Sequence, residues 1–273
     1  MNYLGFRSRR LCRFVIDRLT SEIDERDLGR PAAVFSPHPD DETLGCGGTI
    51  LKKKRAGAKV NIFFMTDGQK SHSHLISAER LKCIRASEAI KASRMLGLEK
   101  EDIAFLEYKD SELNKNTHSA INRVKEILLR QQPDEIFIPH RKEPITEDHS
   151  ATNRIVLSAL HMCRRKIIIY EYPIWLWYHQ PWVNVPMGTP KEVLSALKQT
   201  LISEWSLLKD FRRSVYIGDV LQLKRAILDQ YKSQMTRLVS DPRWQTLGDL
   251  SNGEFLECFF HEHEIFSQYV FHG

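Results

Sequence analysis

The chain has 273 residues, 42% hydrophobic and 27% charged, with a formal net charge of +5. That length suits one large domain with a sizeable core, and a balance this mild excludes the strongly basic face of a nucleic-acid binder. Five cysteines, at 12, 46, 83, 163 and 258, form no Cys-x-x-Cys pair. With no apolar run of transmembrane length and no signal-peptide pattern, the expectation is a cytoplasmic protein with reduced thiols.

Residues 1–28 mix Leu4, Phe6, Leu11, Phe14 and Leu19 with Arg7, Arg9, Arg10, Arg13 and Arg18. The pattern predicts a basic amphipathic helix, set apart from a single domain over 29–273. It either packs on its own domain or a partner chain, the favoured outcome, or makes a peripheral contact with an anionic membrane surface.

A short apolar strand, 32–35, runs straight into Ser36–Thr49, and a helix is expected from Thr49 to Arg55. His38, Asp40, Asp41 and Glu42 crowd into five residues of this strand-to-helix turn. In an open α/β sheet, sites form just beyond the carboxyl ends of strands. His38 and Asp41 supply one nitrogen and one oxygen donor, suited to a divalent metal such as zinc. Asp40 lies between them and cannot point the same way, so it is free for another task. The plainer alternative is a charged turn at a helix N-terminus.

A second strand over 58–65 ends in Thr66-Asp67-Gly68. The polar loop 69–76, with His72 and His74, reads as a lid or substrate contact rather than a metal site. A helix follows from Ala78 to a Gly97 cap, with Arg85 and Glu88 at i and i+3, spaced to pair. Strands are expected over 103–106, 133–139 and 167–172, with helices over 117–130 and 150–163 between them. This alternation predicts a parallel sheet covered on both faces. His149, at the start of the last of these helices, can reach His38 and Asp41, and His140 leaves the fourth strand near the same edge. The run 173–182, with Trp175, Trp177, Tyr178 and Trp182, serves either carbohydrate stacking or a core or subunit contact, which leaves a homo-oligomer open. Residues 182–273 read as mainly helical.

Pro37-His38-Pro39-Asp40-Asp41-Glu42 resembles the signature of the LmbE-like, or PIG-L, family of zinc-dependent N-acetylglucosaminyl deacetylases. Arg85-Ala-Ser-Glu88, Tyr108–Leu113, Lys224–Gln234 and Glu264-Ile-Phe266 are similar to weaker family motifs, so the resemblance covers about residues 31–270. It implies a Rossmann-like three-layer α/β sandwich with a mainly parallel sheet and a helical C-terminal part. It also implies Zn2+, or another divalent metal, held by His38, Asp41 and His149, with Asp40 as general base and Arg85 facing substrate. The activity implied is hydrolysis of a linear amide C–N bond, on an N-acetylated sugar or glycoconjugate. One position departs from the pattern. The first histidine of the family's His-x-x-His falls on Thr146, which leaves its oxyanion or proton-transfer role open: the Thr146 hydroxyl can donate but not titrate, and His140 is either a substitute or a structural residue. A non-catalytic sugar-binding relative and a metal-dependent phosphohydrolase are the alternatives; the latter favours a second acidic cluster, which the sequence does not display.

Overall fold

A computed structural model describes residues 14–16, 18–144, 146–178 and 190–273. Residues 1–13, 17, 145 and 179–189, which include the first part of the N-terminal basic segment, Trp182 and part of the expected loop, lie outside the described residues.

The strands are β1 (Ser21–Glu22), β2 (Ala32–Ser36), β3 (Val60–Thr66), β4 (Ile103–Tyr108), β5 (Glu135–Pro139), β6 (Lys166–Tyr172), β7 (Arg213–Tyr216) and β8 (His263–His272). The helices are α1 (Glu25–Leu28), α2 (Asp41–Arg55), α3 (Ala78–Met95), α4 (Thr117–Gln131), α5 (Glu147–Cys163), α6 (Pro190–Asp210), α7 (Leu221–Leu228), α8 (Lys232–Met235) and α9 (Glu254–Glu257). The strands form one sheet in the order β1-β7-β8-β6-β5-β2-β3-β4. Chain order runs outward one way through β2, β3 and β4, then resumes on the other side of β2 with β5 and β6. The carboxyl ends of β2 and β5 therefore flank the topological switch point, where open α/β sheets place their ligands.

Every residue of β2, β3 and β5 is buried. Side chains alternate between faces along a strand, and here both faces are covered. Val34, Ile62 and Phe64 pack with Ile50, Ala89 and Ala92 of α2 and α3. Phe35, Phe63 and Ile136 pack with Val124 of α4 and Ile155 of α5. The result is the expected three-layer, mainly parallel sandwich.

Two parts differ from the sequence expectation. The C-terminal part is not only helical: β8 inserts between β6 and β7, antiparallel to both. The N-terminal segment is likewise more than a helix. Residues 14–16 and 18–19 are helical, then β1 pairs with β7, and Ile16, Ile23 and Leu28 enter the core.

Helix α2 begins at Asp41 rather than Thr49, and non-helical dihedrals at Cys46 (φ −148°, ψ 21°) kink it. A kink leaves the next amides without helical partners. Glu264 of β8 supplies them: its carboxylate accepts from Gly48 N (2.8 Å), Thr49 N (2.7 Å) and Thr49 Oγ1 (2.6 Å). Lys224 of α7 balances that buried charge at 2.8 Å and donates to Leu44 O and Phe259 O. The start of α2 lies against β6, where a Cβ on Gly45 would clash with the Tyr172 ring. Removing one partner of a buried ion pair costs about 3–5 kcal/mol. Glu264→Gln is accordingly expected to lower unfolding free energy by about 3 kcal/mol in urea titration, and an unchanged midpoint would show that the pair does not anchor the kink.

Candidate metal and catalytic site

The turn after β2 is built from its own backbone and from β3. Ser36 Oγ donates to His38 O (2.6 Å), and Thr66 donates to Pro37 O through both its amide and its hydroxyl. Asp40 adopts φ +131°, a region that residues with a side chain seldom occupy. This twist sends three consecutive carboxylates in different directions. Asp40 Oδ2 meets Arg85 Nη2 at 3.0 Å. Asp41 Oδ2 accepts from His38 N (3.0 Å) and lies 3.2 Å from both His38 Nδ1 and His149 Nε2. Glu42 turns inward and accepts from Tyr231 Oη, Thr43 Oγ1 and the Asp40 amide.

The donor atoms of His38, Asp41 and His149 all lie within 4.8 Å of one another. His149 is fully buried, yet neither ring nitrogen makes a hydrogen bond. A buried, unpartnered imidazole aimed at a carboxylate oxygen fits a metal ligand, and two His with one Asp is a donor set that zinc accepts. The electrostatics agree. Burial disfavours charge on all three, but the two imidazoles hold Asp41 well below the usual carboxylate range. Burial likewise opposes protonation of His149, yet the Asp41 carboxylate pushes it up to about 9. Both imidazoles thus favour protonation beside Asp41, in an acidic setting that suits a cation. Asp40 moves the other way: burial raises it to about 7, with Arg85 pulling against the rise and Asp41 adding to it.

Arg85 does not form the local pair that its spacing with Glu88 suggested. Glu88 instead accepts from Ser233 N (2.8 Å) and Ser233 Oγ (2.6 Å) of α8. Arg85 is left to bind Asp40, Pro39 O and Gly68 O. His140 also differs from its candidate substrate role. It is fully buried away from the cavity, with Nε2 3.4 Å from Asp210 and 3.5 Å from Glu171 and its ring 5.0 Å from Phe211. Burial and neighbouring Arg141 push it down to about 3, so it stays neutral. Thr146 precedes α5 without capping it, and its buried Oγ1 has no partner.

Two carboxylates that sequence analysis gave no role complete the surroundings of His38. Its Nε2 lies 3.3 Å from Asp148 Oδ2 and 3.5 Å from Asp110 Oδ1. These three residues form a second acidic group, contrary to the expectation of none, but it shares His38 with the first. Asp148 already accepts from Ser111 N (2.6 Å) and Leu113 N (3.2 Å), which identifies it as support for the imidazole and the loop.

A cavity of about 360 Å³ opens over the group. His38, Asp40, Asp41, Arg85, Asp110 and Thr146 line its polar floor; Leu44, Ile174, Trp175, Leu247 and Phe255 line an apolar wall. Of the expected aromatic run, Trp175 faces the cavity, stacked on Phe255 at 5.1 Å, while Trp177 is core. His72 and His74 also reach the lining, and His72 stacks on Trp244 at 4.1 Å and contacts Gln245 O at 2.8 Å. That ties the 69–76 loop to the C-terminal part across the cavity mouth. His149→Ala is expected to lower retained zinc at least tenfold, with His140→Ala leaving it unchanged, as read by metal analysis after dialysis.

Residues 33–160 match the family model described as PIG-L, GlcNAc-PI de-N-acetylase. A Bacillus anthracis protein named "Probable N-acetyl-alpha-D-glucosaminyl L-malate deacetylase 2" is 26% identical over 136 residues, covering 48% of this chain and 59% of that protein. The diacetylchitobiose deacetylase of Thermococcus kodakarensis is 30% identical over 106 residues, covering 38% of this chain and 39% of that protein. The matched regions thus span less than two thirds of these relatives' length. The structure of N,N'-diacetylchitobiose deacetylase from Pyrococcus horikoshii superposes on the fold with a TM-score of 0.64 at 20% identity, covering 100% of this chain and 94% of that one. Residues 33–160, which carry the His38–Asp41–His149 group and the Asp40–Arg85 pair, are thus similar to the PIG-L (LmbE-like) family over just under half of the chain.

Proposed function

We propose that the protein is a zinc-dependent hydrolase that removes the acetyl group from an N-acetylated amino sugar or its conjugate. The observation that carries this is the placement of Asp40, buried and paired to Arg85, on the floor of one cavity with His38 and Asp41 of the His38–Asp41–His149 group. The family match and the names of the relatives support the same class of substrate.

His38, Asp41 and His149 would hold the metal. When bound, zinc supplies Lewis-acid polarisation of the acyl oxygen and lowers the pKa of a water molecule to about 7. Asp40 takes the proton of the attacking water, and Arg85 and the Asp40 backbone twist keep its carboxylate aimed at the cavity. The Thr146 hydroxyl, buried and unpartnered at the lining, donates to the developing oxyanion. Asp40 then returns its proton to the leaving nitrogen, the C–N bond breaks, and the products are acetate and the free amine. Trp175 offers a flat apolar face for the sugar ring. No helix among the described residues is long and apolar enough to cross a membrane.

Removing a positioned general base costs about 10²–10⁴-fold. Asp40→Asn is therefore expected to retain zinc and lose turnover by that factor, measured as acetate released from a panel of N-acetylhexosamine compounds. Near-normal release would remove Asp40 from the mechanism, and no metal-dependent release by the native chain across the panel would count against the deacetylase assignment.

A further inference from the structure

The two histidines of the metal group are presented alike. His38 turns Nδ1 to Asp41 and backs Nε2 onto Asp148; His149 turns Nε2 to Asp41 and backs Nδ1 onto Glu143 Oε2, 3.5 Å away. Glu143 lies in the loop after β5, six residues before His149, and its side chain is fully buried. No Lys or Arg among the described residues pairs with it, and its remaining contacts are two backbone amides: Oε1 accepts from Ile174 N (2.9 Å) and Oε2 from Trp175 N (2.6 Å). A buried carboxylate is costly unless its oxygens are fully used. Two amides alone could be satisfied by a neutral side chain. The facing imidazole, whose Nδ1 has no other partner, gives the charge a purpose.

We propose that Glu143 is a positioning residue for metal binding: it accepts the Nδ1 proton of His149, fixes the tautomer that leaves the Nε2 lone pair free for the metal, and through the same carboxylate sets the Ile174–Trp175 wall of the cavity. The proposal rests on the metal-site assignment above. A carboxylate behind a ligating imidazole fixes the ring and raises its basicity, and its loss lowers metal affinity about 10–100-fold. Here the device also links the ligand to the wall against which a sugar would lie, so the metal and the binding surface share one anchor.

The test compares zinc affinity, by chelator competition, in the native chain, Glu143→Gln and Glu171→Gln. Glu171 is an equally buried carboxylate that accepts from Asn153 and Tyr269, away from the metal group, and it controls for the general effect of neutralising a buried acid. Glu143→Gln is expected to bind zinc about 10–100-fold more weakly, and Glu171→Gln to bind as the native chain does. Equal affinity in all three, or an equal loss in both variants, overturns the proposal. Nitrogen-15 NMR of His149 in the zinc-loaded native protein needs no variant: a protonated Nδ1 is expected, and a metal-bound Nδ1 overturns the assignment even if Glu143→Gln does not fold. A native chain that retains no zinc removes the metal site and this inference together, whereas a zinc-binding native chain with an unaffected Glu143→Gln removes only the inference.

Discussion

Three consecutive carboxylates, Asp40, Asp41 and Glu42, are each at least 95% buried, and the site is shaped by the need to keep their charges apart. Two unit charges 4 Å apart interact by about 4 kcal/mol at an effective dielectric constant of 20, so three in one apolar pocket would not remain ionised. The chain gives each a different environment. Arg85 takes Asp40, the two imidazoles take Asp41, and hydroxyls with one backbone amide take Glu42. The separation requires the positive φ at Asp40, a strain of about 1–3 kcal/mol of the kind that persists where surrounding structure over-determines it. Here the surroundings include Glu42 Oε2, which holds the Asp40 amide at 3.1 Å, and Thr66, which clamps the Pro37 carbonyl at the start of the turn.

These supports come from far along the chain. Tyr231, Ser233 and Glu264 lie beyond the family-matched segment 33–160, yet they hold Glu42, Glu88 and the kinked helix that carries the signature. Ser233 bears on the chemistry indirectly. By engaging Glu88, it leaves Arg85 to Asp40. The same C-terminal part supplies Leu247 and Phe255 to the cavity wall. Its insertion into the sheet through β8 therefore both anchors the fold and completes the site.

The separation of local from long-range determinants also explains what could be read in the sequence. The buried strands were legible because both faces are covered, which gives continuous apolar runs, and His38, Asp40 and Asp41 were legible because they are adjacent. His149 could be placed because it opens a helix after the strand that neighbours β2. Strand β8 was not legible, because Glu264, Ser267 and Gln268 interrupt its apolar pattern, and Glu264 is tolerated only with Lys224 and the α2 amides as partners. The Arg85–Glu88 pair misled for the same reason: an i,i+3 pair on a helix surface is worth about 0.2–0.5 kcal/mol, too little to compete with buried partners. His140 looked available because it leaves β5 at the right edge, but its direction is set by Asp210, Glu171 and Phe211. Glu143, Asp110 and Asp148 are loop or helix-start acids that sequence alone does not distinguish from surface charges.

Together these acids give the cavity floor its character. Asp40, Asp41 and Asp110 line it, Asp148 and Glu143 stand behind the two histidines, and Arg85 pairs with Asp40. Both histidines answer this excess by binding protons more tightly than they would in water, against the opposing effect of burial. Metal binding releases protons because imidazole ligates in its neutral form, so a divalent cation would replace charge that the pocket already attracts. Thr146 suits this balance. An imidazole at that position would bring another proton-binding group to an acidic floor, whereas a hydroxyl donates a hydrogen bond without changing the charge. In the proposed mechanism, polarising power then resides in the metal group, proton transfer in Asp40, and neutral donation in Thr146.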